Sequence, residues 1–354
     1  MSDGDDLSCD GSSSDDLSME AAAWWYNAAQ ICAAEWKKLK HDRKMSGKQY
    51  IMRQLNGHHM VCYDNYRVST ANLYRLCDEL RAKGLQYNGD VIIEEHVGMF
   101  LQMIGQGSTM RKITEDFQHS EETVSRCIRN VLQCVMLMKS DYIKLPGVDA
   151  PIHPKLKQSQ FLPFKDALGA IDGTHINAFP PSGQTFKERW RDRKGNIVPP
   201  GRYYLVDGGY ANTPQFLSPY RGKTYHLAQF STRGRENRYD CAEELYNYRH
   251  AQLRNIVEKT FGILKGRFKI CKEMHKYKYD MQTDLVIACC ILHNFIKRHQ
   301  HDNSYDGSSD DEVDSDNATG LGNDDEDGSE YSGTATQVGG AMRDRIRDML
   351  WDNR

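Results

Sequence analysis

Two short apolar runs, each ending in an aspartate and a glycine, constrain the fold of this chain more than any other feature. Asp172 ends the run ALGAID (167–172), and Asp207 ends the run YYLVD (203–207). Apolar runs of this length that stop at a turn residue are typical of buried strands. A buried strand that delivers a carboxylate at its carboxyl end is one way in which a sheet holds a hard metal ion. The pair therefore predicts a sheet with an acidic site at the ends of its strands.

A third acid, Glu258, lies in the segment LRNIVEKTFGILKGRF (253–268), which is typical of a helix. Each acid also has an ordinary structural explanation. An aspartate between a strand and a glycine is often a turn residue, and a glutamate in a basic helix commonly pairs with a cation one turn away, here Arg254. Only the three contexts together favour a metal site.

Length and composition bound the class of protein. A chain of 354 residues is long enough for about two domains. No apolar run approaches the roughly 20 residues of a membrane span, and the acidic N-terminus is unlike a secretory signal. The ten cysteines show no CxxC or His/Cys spacing for zinc. We expect a protein without a membrane segment, with free thiols in a reducing compartment.

Charge is distributed unevenly along the chain, whose net charge is −3. Residues 1–20 carry seven acidic side chains and residues 301–330 carry twelve, and neither segment contains Lys or Arg. The body at 21–300 holds 42 basic and 27 acidic side chains, a net charge of +15. A basic body between acidic ends indicates a polyanionic partner, most often nucleic acid. A merely basic globular domain is the alternative.

Composition divides the chain into two larger regions joined by a linker and flanked by acidic tails. The tails are rich in Ser, Asp and Gly, have few apolar residues to bury, and are expected to be disordered. The linker contains three prolines, and the last segment has apolar residues at helical spacing. The predicted segments are a disordered tail (1–18), a helical region (19–143), a linker (144–160), an acid-bearing region (161–300), a disordered tail (301–340) and a short amphipathic helix (341–354).

The helical region is predicted to open with a helix over 19–44, a loop over 45–68 and a helix over 69–83 that Ser69 caps. Three more helices are predicted after it, over 92–107, 109–117 and 121–138.

The last two of these helices, joined by the turn QHS, form a helix-turn-helix pattern. The polar face of the third helix would offer a DNA groove the side chains of Thr123, Arg126, Arg129 and Asn130. A plain helical bundle is the alternative, since the two glutamates that begin this helix would repel phosphates.

Several further segments share their pattern with one known family. They are FQHSEETVSR (117–126), RWRDRKGNI (189–197), YYLVDGGYANTPQFLSPYRG (203–222), AEELYNYRHAQLRNIVEKTFGILKGRFKI (242–270), CCILHNFI (289–296) and MRDRIRDMLW (342–351). With ALGAIDGTHI, they make the chain resemble the PIF/Harbinger family of transposases, which includes plant proteins and domesticated Harbinger transposase-derived nucleases. The resemblance covers most of residues 57–300.

The resemblance implies an α/β, RNase H-like nuclease domain of the DDE endonuclease superfamily, with Asp172, Asp207 and Glu258 as catalytic residues and ligands of Mg²⁺ or Mn²⁺. Two such ions roughly 4 Å apart can activate the attacking oxygen and neutralise the leaving oxygen. Asp172 would bridge both ions, Asp207 would hold one and Glu258 would complete the other site. The implied activity is metal-dependent cleavage and strand transfer of DNA, that of a hydrolase acting on ester bonds.

Family members usually act in the nucleus with a separate Myb/SANT-like protein that helps to recognise DNA. A homo-oligomer is compatible with this interpretation, and the cytoplasm is compatible with it as a location in addition to the nucleus. The cations near the acids are predicted to line a DNA groove, and they are Arg189, Arg191, Arg193, Lys194, Arg254, Lys259, Lys265 and Arg267.

The chain departs from the family between Ile197 and Val198. Family members place two more strands and a helix before the strand of the second aspartate, and the residues between Asp172 and Asp207 cannot supply them. We therefore expect at most three strands, with the Asp172 strand at an exposed edge. The alternatives to an active nuclease are a catalytically inactive DNA-binding or adaptor protein, and a decayed, mis-spliced or misfolded transposase copy.

Overall fold

The computed structural model describes residues 22–28, 30, 45–86, 89, 91–147, 149–179, 198–199, 201–225, 227, 239–299 and 333–354. The predicted acidic tail at 1–18, most of the tail at 301–340 and the basic residues at 189–194 lie outside these ranges. The described residues are rich in helix and contain one small parallel sheet. None of their helices combines the length and the hydrophobicity that a membrane span needs.

Seven helices follow the short helical segment at 22–28 in the described part of the helical region. They are α1 (Gly47–Asn56), α2 (His59–Tyr66), α3 (Thr70–Ala82), α4 (Ile93–Gln106), α5 (Met110–Phe117), α6 (Glu121–Leu137) and α7 (Lys139–Tyr142). Prediction of a loop over 45–68 was wrong, because α1 and α2 lie there. Ser46 and Gln49 form a reciprocal capping box at the start of α1, and Ile51 and Leu55 bury one face of that helix.

Three of the helices that the sequence predicted correctly begin with a side-chain cap. The hydroxyls of Ser69, Thr109 and Ser120 each accept a hydrogen bond from the backbone N–H three residues later, at the starts of α3, α5 and α6. Helix α4 ends at Gly107, whose φ of 65° is a left-handed conformation that glycine adopts at low cost.

The sheet consists of β1 (Ala167–Ala170), β2 (Tyr203–Leu205) and β3 (Phe216–Leu217). The strands are all parallel and lie in the order β1-β2-β3, with an irregularity in the β1–β2 register between Ala167 and Gly169. Three strands agree with the number expected from the sequence, and β1 takes the edge position among the described strands.

Three long helices complete the fold, and they are α8 (Ala242–Arg267), α9 (Tyr279–His299) and α10 (Gly333–Asp352). Helix α10 begins before the predicted start at residue 341, so residues 333–340 are helical and not part of a disordered tail. A close approach of Gly339 to the backbone of Thr213 accompanies this longer helix.

Buried residues form two separate cores. The first core is made by α1–α7, the end of α8 and α9, and its large buried side chains include Tyr66, Phe100, Phe117, Phe268 and Phe295. The second core is made by the sheet, the first part of α8, α10 and the 3-10 turns at 154–164, and it includes Phe161, Phe164, Tyr203, Leu217, Tyr246 and Leu350. Part of the predicted linker (144–160) is therefore packed, because its apolar side chain Leu156 lies in the second core with α8 and the sheet.

Candidate acidic site at the carboxyl end of the sheet

The two predicted aspartates lie at the same end of the sheet. Asp172 follows β1 by two residues, and Asp207 follows β2 by two residues. Backbone hydrogen bonds extend the parallel ladder to the residue before each aspartate, from Ile171 N to Leu205 O (2.9 Å) and from Val206 N to Leu217 O (3.0 Å). Because parallel neighbours end at the same edge, the ladder brings the two carboxylates together.

Each carboxylate is oriented by the turn that follows it. Oδ1 of Asp172 accepts a hydrogen bond from Gly173 N at 3.0 Å, and Oδ1 of Asp207 accepts one from Gly208 N at 2.7 Å. Side-chain to backbone contacts of this kind are common where aspartate begins a turn. The turn-residue explanation of these aspartates therefore describes part of what they do.

Arg254 of α8 points its guanidinium between the two aspartates. Its Nη2 lies 2.9 Å from Oδ1 of Asp172, and its Nη1 lies 3.5 Å from Oδ1 of Asp207. The side chain of Arg254 is 4% exposed, against 20% for Asp172 and 56% for Asp207. The buried cation thus links two carboxylates, hereafter the acid pair, that reach it from different strands.

A series of polar contacts through Tyr225 and His250 positions Arg254. Its Nη1 donates to the hydroxyl of Tyr225 at 2.8 Å, and that hydroxyl lies 3.4 Å from Nδ1 of His250. Nε2 of His250 lies 3.0 Å from the carbonyl oxygen of Leu217, so it carries the proton and donates, while Nδ1 accepts. This series of contacts connects β3 through α8 to the acid pair.

Burial and neighbouring charges together shift the pKa values of His250, Tyr225 and Arg254. Burial lowers the pKa of His250 from 6.5 to about 3, which keeps the ring neutral. Burial also raises the pKa of Tyr225, with Asp207 and Glu258 adding to the effect while Arg254 opposes it. Burial disfavours the charge of Arg254, but Tyr225 and the acid pair outweigh it and raise the pKa of the guanidinium. Arg254 is therefore a permanent cation beside a neutral histidine.

Glu258 lies one helical turn beyond Arg254 and two turns beyond His250 on the same face of α8. The side chain of Glu258 is exposed. Its negative charge contributes to the raised pKa of Tyr225. Pairing of Glu258 with Arg254, the ordinary explanation that the sequence offered, stays a prediction. The described ion pairs of Arg254 include those with Asp172 and Asp207.

The described arrangement does not fit a divalent ion at the acid pair. Among the residues that the structure describes, no group of three Asp, Glu, His or Cys side chains converges so as to hold one. The space in which two carboxylates could share an ion is taken by the guanidinium of Arg254. The cation that lies between the two aspartates is the guanidinium of Arg254.

The predicted DNA-groove cations differ in their exposure. Lys259 is exposed, and Lys265 is half-buried with its Nζ 2.8 Å from the carbonyl oxygen of His175. Arg254 and Arg267 are buried, with 3% and 6% of the whole residue exposed, and their contact with a DNA groove stays a prediction. Both belong to α8, whose first part packs in the second core and whose end packs in the first core. The other predicted cations, Arg189, Arg191, Arg193 and Lys194, lie outside the described residues.

Helices α5 and α6 keep the predicted helix-turn-helix order, with the turn at 118–120. Arg126 and Arg129 are exposed on α6, and Nε of Arg129 donates to Ser125 O at 3.2 Å. The opposite face of α6 enters the first core through Val124 and Val131. The face predicted to meet DNA is thus on the surface, and its contact with DNA stays a prediction.

Two members of the acidic site were missed by reasoning from the sequence. His250 had a usable signal, because His250, Arg254 and Glu258 recur every four residues along one helix face. Tyr225 had none, since its contact with α8 joins residues that are 25 and 29 positions apart.

Comparison with protein families gives two matches. Residues 171–294 match a DDE superfamily endonuclease domain, and this range contains all three predicted acids. Residues 42–137, which include most of the first core, match a family described only as a domain of unknown function.

Comparison with curated proteins gives relatives at low identity. The human protein named "Putative nuclease HARBI1" is 21% identical over 286 residues, which cover 72% of this chain and 79% of the human one. The Arabidopsis thaliana protein named "Protein ALP1-like" is 22% identical, with 59% of this chain and 62% of the relative covered. The rat protein named "Putative nuclease HARBI1" is 22% identical, with 55% and 65% covered, so this chain spans less than two thirds of the last two relatives. No solved structure matches.

Proposed function

We propose that this chain, which carries a DDE superfamily endonuclease domain and is homologous to Harbinger transposase-derived nucleases, is itself a transposase-derived endonuclease that cuts DNA. The observation that carries the proposal is the acid pair. Two aspartates that lie 35 positions apart in the sequence reach one guanidinium at the carboxyl end of a parallel sheet. The matched endonuclease range contains both of them and Glu258.

Cleavage of a phosphodiester needs an activated oxygen nucleophile and a stabilised leaving oxygen, and DDE superfamily endonucleases generally use divalent metals for both. Asp172, Asp207 and Glu258 are the proposed catalytic residues and ligands, and Mg²⁺ or Mn²⁺ is the proposed ion, in an RNase H-like domain. Arg254 fills the space between two of these acids in the described arrangement.

The residues of the chain itself have clear tasks in this proposal. Gly173 and Arg254 fix Asp172, which is mostly buried, whereas Asp207 is more than half exposed and therefore accessible from solvent. Exposed cations provide the charge that holds a phosphate backbone, with Lys259 beside the acids and Arg126 and Arg129 on α6. A nuclear location, a Myb/SANT-like partner and a homo-oligomer belong to the same proposal.

A second candidate function is that of a catalytically silent DNA-binding or adaptor protein. It is favoured by the guanidinium between the two aspartates and by a sheet of only three short strands in the described residues. On this reading the basic surface binds DNA and the acidic site only stabilises the fold.

The test is nicking of supercoiled plasmid DNA with Mg²⁺ or Mn²⁺ by the full chain and by two isosteric variants. Asp207→Asn changes the acid pair, and Asp149→Asn removes the same charge from an exposed position in the linker. We expect cleavage by the wild type and by Asp149→Asn, and none by Asp207→Asn. Cleavage that persists in Asp207→Asn excludes the proposed site. Salt-sensitive DNA binding without cleavage by any of the proteins identifies the adaptor.

A further inference from the structure

The position of Arg254 conflicts with the chemistry expected of the surrounding acids. Hard divalent ions bind where carboxylate oxygens converge, yet the oxygens that converge here, Oδ1 of Asp172 and Oδ1 of Asp207, already face a guanidinium. The cation comes from α8, the same helix that carries Glu258.

We propose that Arg254 is a built-in counter-cation of the acid pair, which competes with divalent metal ions for Asp172 and Asp207 and thereby sets the metal affinity of the site. This inference rests on the proposed nuclease function, because it takes the acid pair to be the metal-binding pair. It adds a residue that weakens the binding of a divalent ion at the acid pair.

The charges at the acid pair indicate that Arg254 and a divalent ion compete for the two aspartates and do not bind them together. Two carboxylates and one guanidinium leave a single net negative charge at the acid pair, and the guanidinium would repel an incoming divalent ion at short range. The repulsion is strong because Arg254 is buried, where water screens charge poorly. His250 adds no charge, since its ring is neutral, and Tyr225 stays protonated.

The contacts of Arg254 also indicate that it can be displaced from one carboxylate. Its Nη1 lies 3.5 Å from Asp207 and only 2.8 Å from the hydroxyl of Tyr225, so the Asp207 contact is the weaker of the two. Its Nε is buried and has no hydrogen-bond partner among the described residues. A guanidinium with an unpaired buried N–H gives up less when it moves than one with all five donors satisfied.

The experiment measures Mn²⁺ affinity, by electron paramagnetic resonance of free Mn²⁺, for the full chain and its variants. Arg254→Met removes the cation and keeps much of the side-chain volume. Arg249→Met is the matched control, because it removes an arginine from the same helix whose guanidinium contacts Gln160 and Gln252. We expect a dissociation constant about tenfold lower in Arg254→Met and unchanged in Arg249→Met.

A double variant shows whether the gain passes through the acid pair. The acidic segments at 1–20 and 301–330 bind some Mn²⁺ in every protein, so the informative quantity is the difference that Asp207→Asn makes in each background. Asp207→Asn should abolish the gain of Arg254→Met. A dissociation constant in folded Arg254→Met that is equal to or higher than that of the wild type overturns the inference.

Arg254→Lys covers the case in which Arg254→Met does not fold. Lysine keeps the charge, but its single ammonium cannot reach two carboxylates as a planar fork does. We expect Mn²⁺ binding about threefold tighter than in the wild type, since one carboxylate is released. Binding as weak as in the wild type contradicts the inference.

DNA cleavage separates this inference from the proposed function. If Arg254 variants bind Mn²⁺ more tightly but no protein cuts DNA, the inference holds and the nuclease proposal fails. If Asp207→Asn abolishes cleavage while Arg254→Met leaves Mn²⁺ affinity unchanged, the nuclease proposal holds and the inference fails.

Discussion

The first core and the second core are built in different ways. The first is closed by helices, three of which begin with a side-chain cap, and Tyr66, Phe100, Phe117, Phe268 and Phe295 are fully buried in it. The second rests on strands of four, three and two residues and needs α10, which comes after residues 300–332. The difference shows that the acid pair lies on the less self-sufficient part of the molecule.

Electrostatics sharpens the contrast. In the first core, Oε1 of the buried Glu95 lies 2.6 Å from Nε2 of His119, which is partly exposed. In the second core, Arg254 and two aspartates are held across elements that join distant parts of the chain. Such networks fix a geometry only while the elements that carry them stay packed. Stability of the second core is therefore a condition for the geometry of the site.

Truncation of one large side chain in each core tests whether the cores unfold separately. Phe100→Ala in the first core should cost about 3–5 kcal/mol, and Leu350→Ala in α10 should cost about 2–3 kcal/mol, because each leaves a cavity. Hydrogen exchange should show Leu350→Ala loosening the sheet and α10 but not α4. Equal loosening of α4 would mean that the two cores unfold as one unit.

Acid should weaken the second core through His250. Because burial lowers its folded pKa to about 3, the unfolded chain binds more protons between pH 6.5 and about 3, so stability falls as pH falls through that window. From pH 7 to pH 5 the loss should be about 2 kcal/mol.

Urea unfolding of the wild type and of His250→Gln at both pH values measures this contribution. The variant should lose less stability on acidification. The pKa of His96 in the first core is also lowered by burial, with His119 and Arg126 adding to the effect, so part of the pH dependence should remain in His250→Gln. An identical pH dependence in both proteins would show that His250 is not buried in solution.

The smallest effect is expected at the contact between α10 and the turn after β2. A Cβ on Gly339 would lie 2.6 Å from a backbone atom of Thr213, whereas a Cβ on Gly340 would meet nothing within 4 Å. Gly339→Ala should therefore destabilise the docking of α10 by about 1 kcal/mol, and Gly340→Ala should be neutral or stabilising. Hydrogen exchange in α10 distinguishes them, and similar exchange in the two variants would contradict the close approach of helix and turn.

The sequence was most informative where structure depends on neighbours in the chain. Ser69 and Ser120 predicted the starts of α3 and α6, because a capping side chain binds a backbone group three residues away. The aspartate–glycine runs likewise predicted two strands and the end at which their carboxylates lie. Residues 171–294, which contain both runs' aspartates, match a DDE superfamily endonuclease domain.

The sequence was least informative where contacts join distant residues. Arg254 looked like one more cation for DNA, because nothing in its neighbourhood reveals that Asp172, 82 positions earlier, turns it inward. Helices α1 and α2 were missed because their polar residues outnumber the few apolar ones that reach the core. The roles of Asp172, Asp207 and Glu258 in catalysis stay predictions, since geometry alone does not report activity.

Helix α8 has 26 residues and enters both cores, with Tyr246 in the second and Leu264 in the first. A rigid α-helix rotates by about 100° per residue. The direction in which each end of the helix presents its buried side chains is therefore fixed relative to the other end. Arg254 and Glu258 lie between the two ends. Insertion of a single residue after Glu258 would twist one core against the other, whereas an insertion close to a whole turn would nearly restore the relative direction of the two ends. Length variation within this helix should thus be tolerated in steps of a turn.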